Sequence, residues 1–380
     1  MRLQNRKSKL SGGSAVVWQM LIIIAVVSFL EIIPALVQIK GPQAAFVALG
    51  YAIIPVVVIV FFVRLIDRWE PEPPAMYYLA FLWGAGTSVI AASQINGLTS
   101  DLLYLQLLPW NCDAACSDRL FNAYGAPIAE ELIKGLGILL IFFAFNKYFD
   151  GPIDGIVYGA LIGSGFAFTE NILYFLNDYD AIFLVFQIRF LDGPLNHEAW
   201  SAVFGFFLGF AANKRSRWAV IPWLIPAFAF SALGHWFNND ALRWSGMTYE
   251  RYVFLNNVPL CIVLLAIVIY ARYQERSAVR GALTEYAQAG WFSMSDVRMV
   301  CSINLRKGAV EWATERFILH GAVPEAGAKL MQNYQETLLS LGLLRARAKK
   351  RKMVQTAANR AAERDLLGEV TAMRTALSQI

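Results

Sequence analysis

Apolar residues run through stretches of this chain that are too long and too continuous for the core helices of a soluble protein. Eight stand out, roughly at 15–38, 44–66, 75–97, 123–145, 155–176, 195–213, 217–241 and 252–272, each near the about 20 residues that a helix needs to cross the hydrocarbon of a bilayer. After residue 272 the apolar positions recur at amphipathic helical spacing among charged ones. There Ser293, followed three residues later by Asp296, has the form of a capping box, and Gly290 and Gly321 mark breaks. The pattern predicts an all-α protein: a polytopic membrane helix bundle of about eight transmembrane helices over residues 1–272, then a small helical domain over 273–380.

Composition agrees, since 57% of the 380 residues are hydrophobic where soluble domains carry about 45–50%. Charge then supplies an orientation. The connections after the even-numbered stretches hold Arg64, Arg68, Lys147, Lys214, Arg215 and Arg217, and the chain leaves the last stretch through Arg272 and Arg276. The others hold fewer basic residues, namely Lys40, Arg119, Arg189, Arg243 and Arg251. The positive-inside rule therefore places both termini in the cytoplasm and the chain in the inner (cytoplasmic) membrane as a multi-pass protein. Arg2, Arg6, Lys7 and Lys9 precede the first stretch, and no small-residue cleavage site follows it, so it is expected to be a retained anchor.

The net charge of +5 comes from the tail. Its run Arg345, Arg347, Lys349, Lys350, Arg351 and Lys352 either rests on the anionic inner leaflet, at about 1 kcal/mol per basic residue, or forms a solvated helix face. No nucleic-acid motif accompanies it, and no nucleic-acid partner is expected. Cys112 and Cys116 fall in the longest outer connection, where they form a disulfide or remain two thiols. Cys261 and Cys301 have no metal-ligand spacing.

Ionisable groups inside a span cost about 2.5 kcal/mol or more each at the bilayer centre, which makes every one of them a candidate functional group. The fourth stretch carries Glu130, Glu131 and Lys134, the fifth Glu170, the start of the sixth Asn196-His197-Glu198, and the seventh His235 with Asn239. At a rise of about 1.5 Å per residue, Glu130, Glu170 and His235 lie about 9–10 Å below the outer ends of their helices, with His197 slightly shallower. Four helices thus deliver acids and imidazoles to one layer of the outer half. On the fourth helix Lys134 projects between the glutamates, about 40° from one and about 60° from the other, so it can pair with either. The blander alternative is a simple Glu130–Lys134 ion pair, which leaves Glu131, Glu170 and both histidines unexplained.

Carboxylates and imidazoles together are a donor set for zinc, which commonly takes three protein ligands and one water. Glu170, His197 and His235 are candidate Zn2+ ligands, with Glu130 or Glu131 as base. The metal-free alternative has a glutamate activating water while His235 and Asn239, one turn apart, hold the oxyanion. His197 is equally readable as an ordinary histidine at a helix start. Arg189 either anchors at headgroups or stabilises a carboxylate.

These residues resemble the PrsW family of intramembrane proteases, related to the CAAX-processing and bacteriocin-immunity superfamily. The resemblance rests on Glu130-Glu131-x-x-Lys134, Phe166-x-x-x-Glu170-Asn171, His197 and His235-x-x-x-Asn239. Asp67-Arg68-Trp69-Glu70-Pro71-Glu72-Pro73 and Asp154-Gly155-Ile156-Val157-Tyr158-Gly159-Ala160 support it. It implies peptide-bond hydrolysis in the membrane on anti-sigma-factor-like, single-span protein substrates. Glu130 and Glu131 would be the catalytic pair, joined by Lys134 and Asn239, and Glu170, His197 and His235 the supporting or metal positions. Where the wider superfamily has histidine after Phe-x-x-x, this chain has Glu170, which favours the PrsW branch. Two other classes stay open: an ion- or proton-coupled transporter, against which the lack of matched broken spans counts, and an inactive immunity or scaffold protein whose buried polar set only fixes packing.

Overall fold

The computed structural model describes residues 13–67, 71–104, 114–193, 195–212, 214, 216–244, 248–350 and 357–379. Cys112 lies outside them, and with it the choice between a Cys112–Cys116 disulfide and two thiols. Among the described residues the secondary structure is entirely helical. They fall into two compact units, a larger one of residues 7–212 and 216–268 and a smaller one formed chiefly by 269–380.

The larger unit begins with α1 (Gly13–Lys40) and α2 (Pro42–Ile66), apolar on all sides. Their outward faces carry Ile23, Leu30, Phe46, Val57 and Phe61, the composition a helix needs against lipid. α3 (Pro74–Leu82) passes through a π-helical stretch, Trp83–Ser88, into α4 (Val89–Tyr104), and the short α5 (Ala114–Leu120) follows. α6 (Ala126–Ala144) and α7 (Pro152–Asn177) come next, then the short α8 (Ile182–Phe186), α9 (Asn196–Ala212), α10 (Ile221–Trp244) and α11 (Tyr249–Gln288).

Among the described residues six helices are long and apolar enough to cross a membrane. The two remaining stretches of the eight expected are α6 and α9. α6 has 19 residues but carries three ionisable groups, and α9 has only 17 residues, short of the about 20 a span needs. Both deviations fall where the chemistry is. A further difference concerns α11, whose apolar stretch ends near Arg272 while the helix continues to Gln288. Hydropathy marks the edge of the apolar part, and backbone hydrogen bonding carries the helix past it.

α7 is the axis of the unit and is buried along most of its length. A stripe of small residues makes that possible. A Cβ on Gly155 would stand 2.0 Å from the Gly205 carbonyl oxygen, one on Gly159 2.0 Å from that of Ser201, and one on Gly163 2.4 Å from that of His197. Glycine at four-residue spacing therefore lets α7 and α9 approach backbone to backbone, the packing that drives helix association where lipid removes the hydrophobic term. On its other side α7 buries Phe166, Phe168, Ile172 and Phe175 against Ala44, Ala48 and Ala52 of α2.

The smaller unit takes in the end of α11 and the whole of α12 (Met294–Val300), α13 (Ile303–Leu319), α14 (Pro324–Lys350) and α15 (Ala357–Ser378). The capping box is present in both directions. Ser293 Oγ accepts from the Asp296 N–H at 3.2 Å, and Asp296 Oδ2 accepts from the Ser293 N–H at 2.8 Å. Gly290 and Gly321 take φ of +86° and +69°, left-handed values that end a helix without steric cost only for glycine. Two members of the basic run pair with an acid of α11: Arg345 donates to Glu285 at 3.2 Å, and Lys349 pairs with the same carboxylate.

Candidate active site

α6 presents Glu130, Glu131 and Lys134 to the interior, each at most 7% exposed, because Pro127 starts the helix and the apolar residues Ile128, Leu132 and Leu136 take the outer face. Lys134 pairs with Glu131 rather than Glu130. α7 contributes Glu170, α9 His197 and α10 His235, and the four helices bring all six groups together. Before α9 the chain passes through Leu195 at φ +60°, a left-handed conformation uncommon for a branched side chain, and His197 follows on the first turn.

Each imidazole has its own carboxylate. Nδ1 of His235 lies 3.0 Å from Glu131 Oε1, which leaves Nε2 facing Glu130 Oε2 at 3.9 Å. Nε2 of His197 lies 2.9 Å from Glu170 Oε2, and its Nδ1 lies 2.9 Å from Lys134 Nζ. Glu170 also accepts from Arg189 Nη2 at 2.6 Å, while Arg189 Nε donates to Asn171 Oδ1 at 2.6 Å. Trp200, one turn past His197, stacks on His235 at 4.6 Å between ring centroids and meets His197 edge-on at 5.1 Å.

Ligand atoms of Glu130, His197 and His235 lie within 4.8 Å of one another, all three residues buried. This set fits a metal ion on chemical grounds. It offers two neutral-capable imidazoles and a carboxylate, the buried Oε2 of Glu130 has no hydrogen-bond partner among the described residues, and both rings are braced by an outer carboxylate as metal-bound histidines generally are. Glu170 thus braces His197 at 2.9 Å, as Glu131 braces His235 at 3.0 Å, while Glu130 is the carboxylate whose ligand atom lies within 4.8 Å of those of both rings. Asn239 stands apart from this cluster: its Nδ2 donates to the Asn122 carbonyl at 3.1 Å, and its Oδ1 accepts from Asn238 at 3.3 Å.

Of the two roles open to Arg189, the carboxylate contact is the one observed. Trp200 carries no charge to mark it, although the spacing His197-x-x-Trp200 puts both on one helix face. Residues 179–191, between α7 and α9, carry Arg189 on short 3-10, α and π segments that no single period marks.

A sequence model described as PrsW family intramembrane metalloprotease matches residues 72–271. A protease PrsW of Geobacillus kaustophilus is 28% identical over 187 residues, which cover 48% of this chain and 76% of the relative. One of Bacillus subtilis is 26% identical over 50% of this chain and 86% of the relative, and one of Clostridioides difficile 29% identical over 44% and 68%. No solved structure matches the chain.

Proposed function

Since the chain belongs to the PrsW family of intramembrane metalloproteases, we propose that it hydrolyses a peptide bond of single-span, anti-sigma-factor-like membrane proteins at a Zn2+ held by Glu130, His197 and His235. The observation that carries this reading is the unpartnered Oε2 of Glu130 facing two imidazoles, each backed by a separate carboxylate. That the chain is an intramembrane protease rests on the family and its relatives. The residue roles, the metal and the substrate are the proposal.

A bound Zn2+ would supply a Lewis acid and a water acidified toward neutral pH. Everything else falls to the chain. Glu131 fixes the His235 ring through Nδ1, so that Nε2 points at Glu130. Glu170, itself held by Arg189, fixes His197 through Nε2 and leaves Nδ1 as its ligand atom. Lys134 lies against that Nδ1, so ligation requires it to turn to Glu131 alone, with which it is already paired. Trp200 closes one side of the pair of rings to water. Asn239 would hold the scissile carbonyl oxygen by exchanging the Asn122 carbonyl for it. The wider topology belongs to the same reading: α6 and α9 complete eight spans, both termini and the 273–380 domain lie in the cytoplasm, and the active layer lies in the outer half. So does kinship with the CAAX-processing and bacteriocin-immunity superfamily.

A second reading has an observation of its own. The 3.9 Å between Glu130 Oε2 and His235 Nε2 is a gap that one water bridges, and Glu130 could then act as the base without metal. Detergent-purified protein and a single-span reporter test both. Glu130→Gln is expected to abolish cleavage, and unchanged cleavage overturns the role of Glu130. Metal analysis is expected to find one zinc per chain in wild type and none in His235→Ala. Activity that survives chelators in a metal-free preparation establishes the second reading instead.

A further inference from the structure

Beside His197 the larger unit holds a cavity of about 270 Å3. On that scale one water takes up about 10–15 Å3, so there is room for a side chain. The wall is acidic. Its charged residues are Arg189, Asp192 and Glu198, and the other polar ones besides His197 are carboxamides and two tyrosines. Arg189 is committed to Glu170 and Asn171. Asp192 Oδ2 accepts from the Tyr249 hydroxyl at 2.8 Å and from Gln187 Nε2 at 3.3 Å, both uncharged donors, and its Oδ1 takes no hydrogen bond among the described residues.

Glu198 is the carboxylate that the rest of the site leaves over. It is 4% exposed and lines the cavity, yet among the described residues no cation pairs with it and its hydrogen-bond donor is its own backbone N–H. At least one of its oxygens is therefore open to the cavity, since neither is both enclosed and unbonded. A buried carboxylate without a cation is among the costliest groups a fold can hold. Glu198 is the third residue of α9, where the positive end of the helix dipole offsets part of the charge. That offset does nothing for Asp192, and it does not account for a carboxylate that opens on a cavity.

We propose that Glu198, with Asp192, forms a specificity subsite for a basic side chain of the substrate near the scissile bond. A lysine ammonium brings three N–H donors and one positive charge to a wall that offers two carboxylates without a cation. The proposal rests on the protease reading and deepens it by naming which substrates the site prefers. Few basic residues flank a span on its outer side, so a lysine there distinguishes a substrate from most other single-span proteins.

The test measures binding and needs no turnover. Purified full-length Glu130→Gln protein is titrated with decapeptides from the outer end of a reporter span, in which each position in turn carries methionine or lysine, side chains of similar length. Lysine at one position is expected to bind about tenfold more tightly than methionine, equivalent to about 1.4 kcal/mol, and glutamate there no more tightly than methionine. In Glu130→Gln/Glu198→Gln, which keeps the shape of the wall, the ratio of lysine to methionine affinity is expected to fall toward one. A series in which lysine gains nothing at any position overturns the proposal even if the double variant does not fold. So does a lysine preference that survives Glu198→Gln. A role for Glu198 confined to the start of α9 would weaken both peptides alike and leave the ratio unchanged, which also overturns it. Failure of the protease reading would show separately, as a reporter that the wild type leaves uncut, and these binding ratios would remain readable.

Discussion

Glu131 Oε1 lies 3.0 Å from Nδ1 of His235 and also takes the ammonium of Lys134. The carboxylate is therefore an orienting group with a counter-charge of its own. Glu131→Gln preserves shape and can still accept from Nδ1, but it lowers the basicity of the ring and leaves Lys134 without its anion. Loss of an outer partner to a ligating histidine typically costs about 10–100-fold in metal affinity or activity. Zinc affinity by competition with a chromogenic chelator is expected to fall in that range. An unchanged affinity beside lost cleavage would move Glu131 from positioning to proton transfer.

Lys134 is fully buried and lies 4.6 Å from the centre of the Phe166 ring as well as against Glu131 and His197. Removing one partner of a buried ion pair costs about 3–5 kcal/mol, because the other charge stays behind. Lys134→Met is expected to destabilise the protein by that amount in a detergent unfolding assay. The double variant Lys134→Met/Glu131→Met, which removes both charges, is expected to recover most of the loss. Equal stability of wild type and Lys134→Met would show that the pair contributes nothing.

Part of this architecture was open to a reader of the sequence. The spans follow from hydropathy because the bilayer imposes length and apolarity together, and the six acids, amines and imidazoles stood out because a bilayer makes each of them expensive. Their convergence followed from depth, a one-dimensional quantity that a sequence does encode. What stayed hidden needs azimuth and loop conformation. The choice of Glu131 over Glu130 by Lys134 is made by side-chain conformation within α6, and the position of Glu170 behind His197 depends on the close α7–α9 approach that the glycine stripe permits. Arg189 was ambiguous because residues 179–191 fold as short irregular helices, for which no period exists to read.

Gly163 offers a way to move His197 without touching its chemistry. A Cβ there would meet the His197 carbonyl oxygen at 2.4 Å and the Glu198 Cα at 2.8 Å, both of them backbone atoms that cannot swing aside. Gly163→Val is expected to push the start of α9 off α7 and separate His197 from Glu130, with loss of zinc and of cleavage together. Gly50, which has open space around its missing Cβ, serves as the control, and Gly50→Ala is expected to leave both intact. Retention of stoichiometric zinc in Gly163→Val would contradict the role given to the glycine stripe.

The smaller unit allows a separation of stability from catalysis. Ser293→Ala deletes the Oγ that accepts from the Asp296 N–H, and loss of such a cap costs about 0.5–2 kcal/mol. Local hydrogen exchange at the start of α12 is expected to rise accordingly, with cleavage of the reporter unchanged. A parallel loss of cleavage would tie this unit to turnover.

Arg189 bridges Glu170 and Asn171 through two different nitrogens, each at 2.6 Å, with its guanidinium 4.0 Å from the centre of the Tyr174 ring. Lysine is a point charge on a flexible stem and cannot make both bonds while stacked on an aromatic face. Arg189→Lys is therefore expected to keep Glu170 charge-paired but let it rotate, lowering kcat by about tenfold while zinc remains bound. Arg189→Leu strips Glu170 of its cation, so the carboxylate is expected to take a proton or turn from His197, and zinc affinity to drop with activity by about 10–100-fold. Restoration of zinc binding in Arg189→Leu by Glu170→Gln, a neutral acceptor for the His197 N–H, would show that Arg189 acts through Glu170. If both single variants behave as wild type, the relay from Arg189 through Glu170 to His197 has no part in the site.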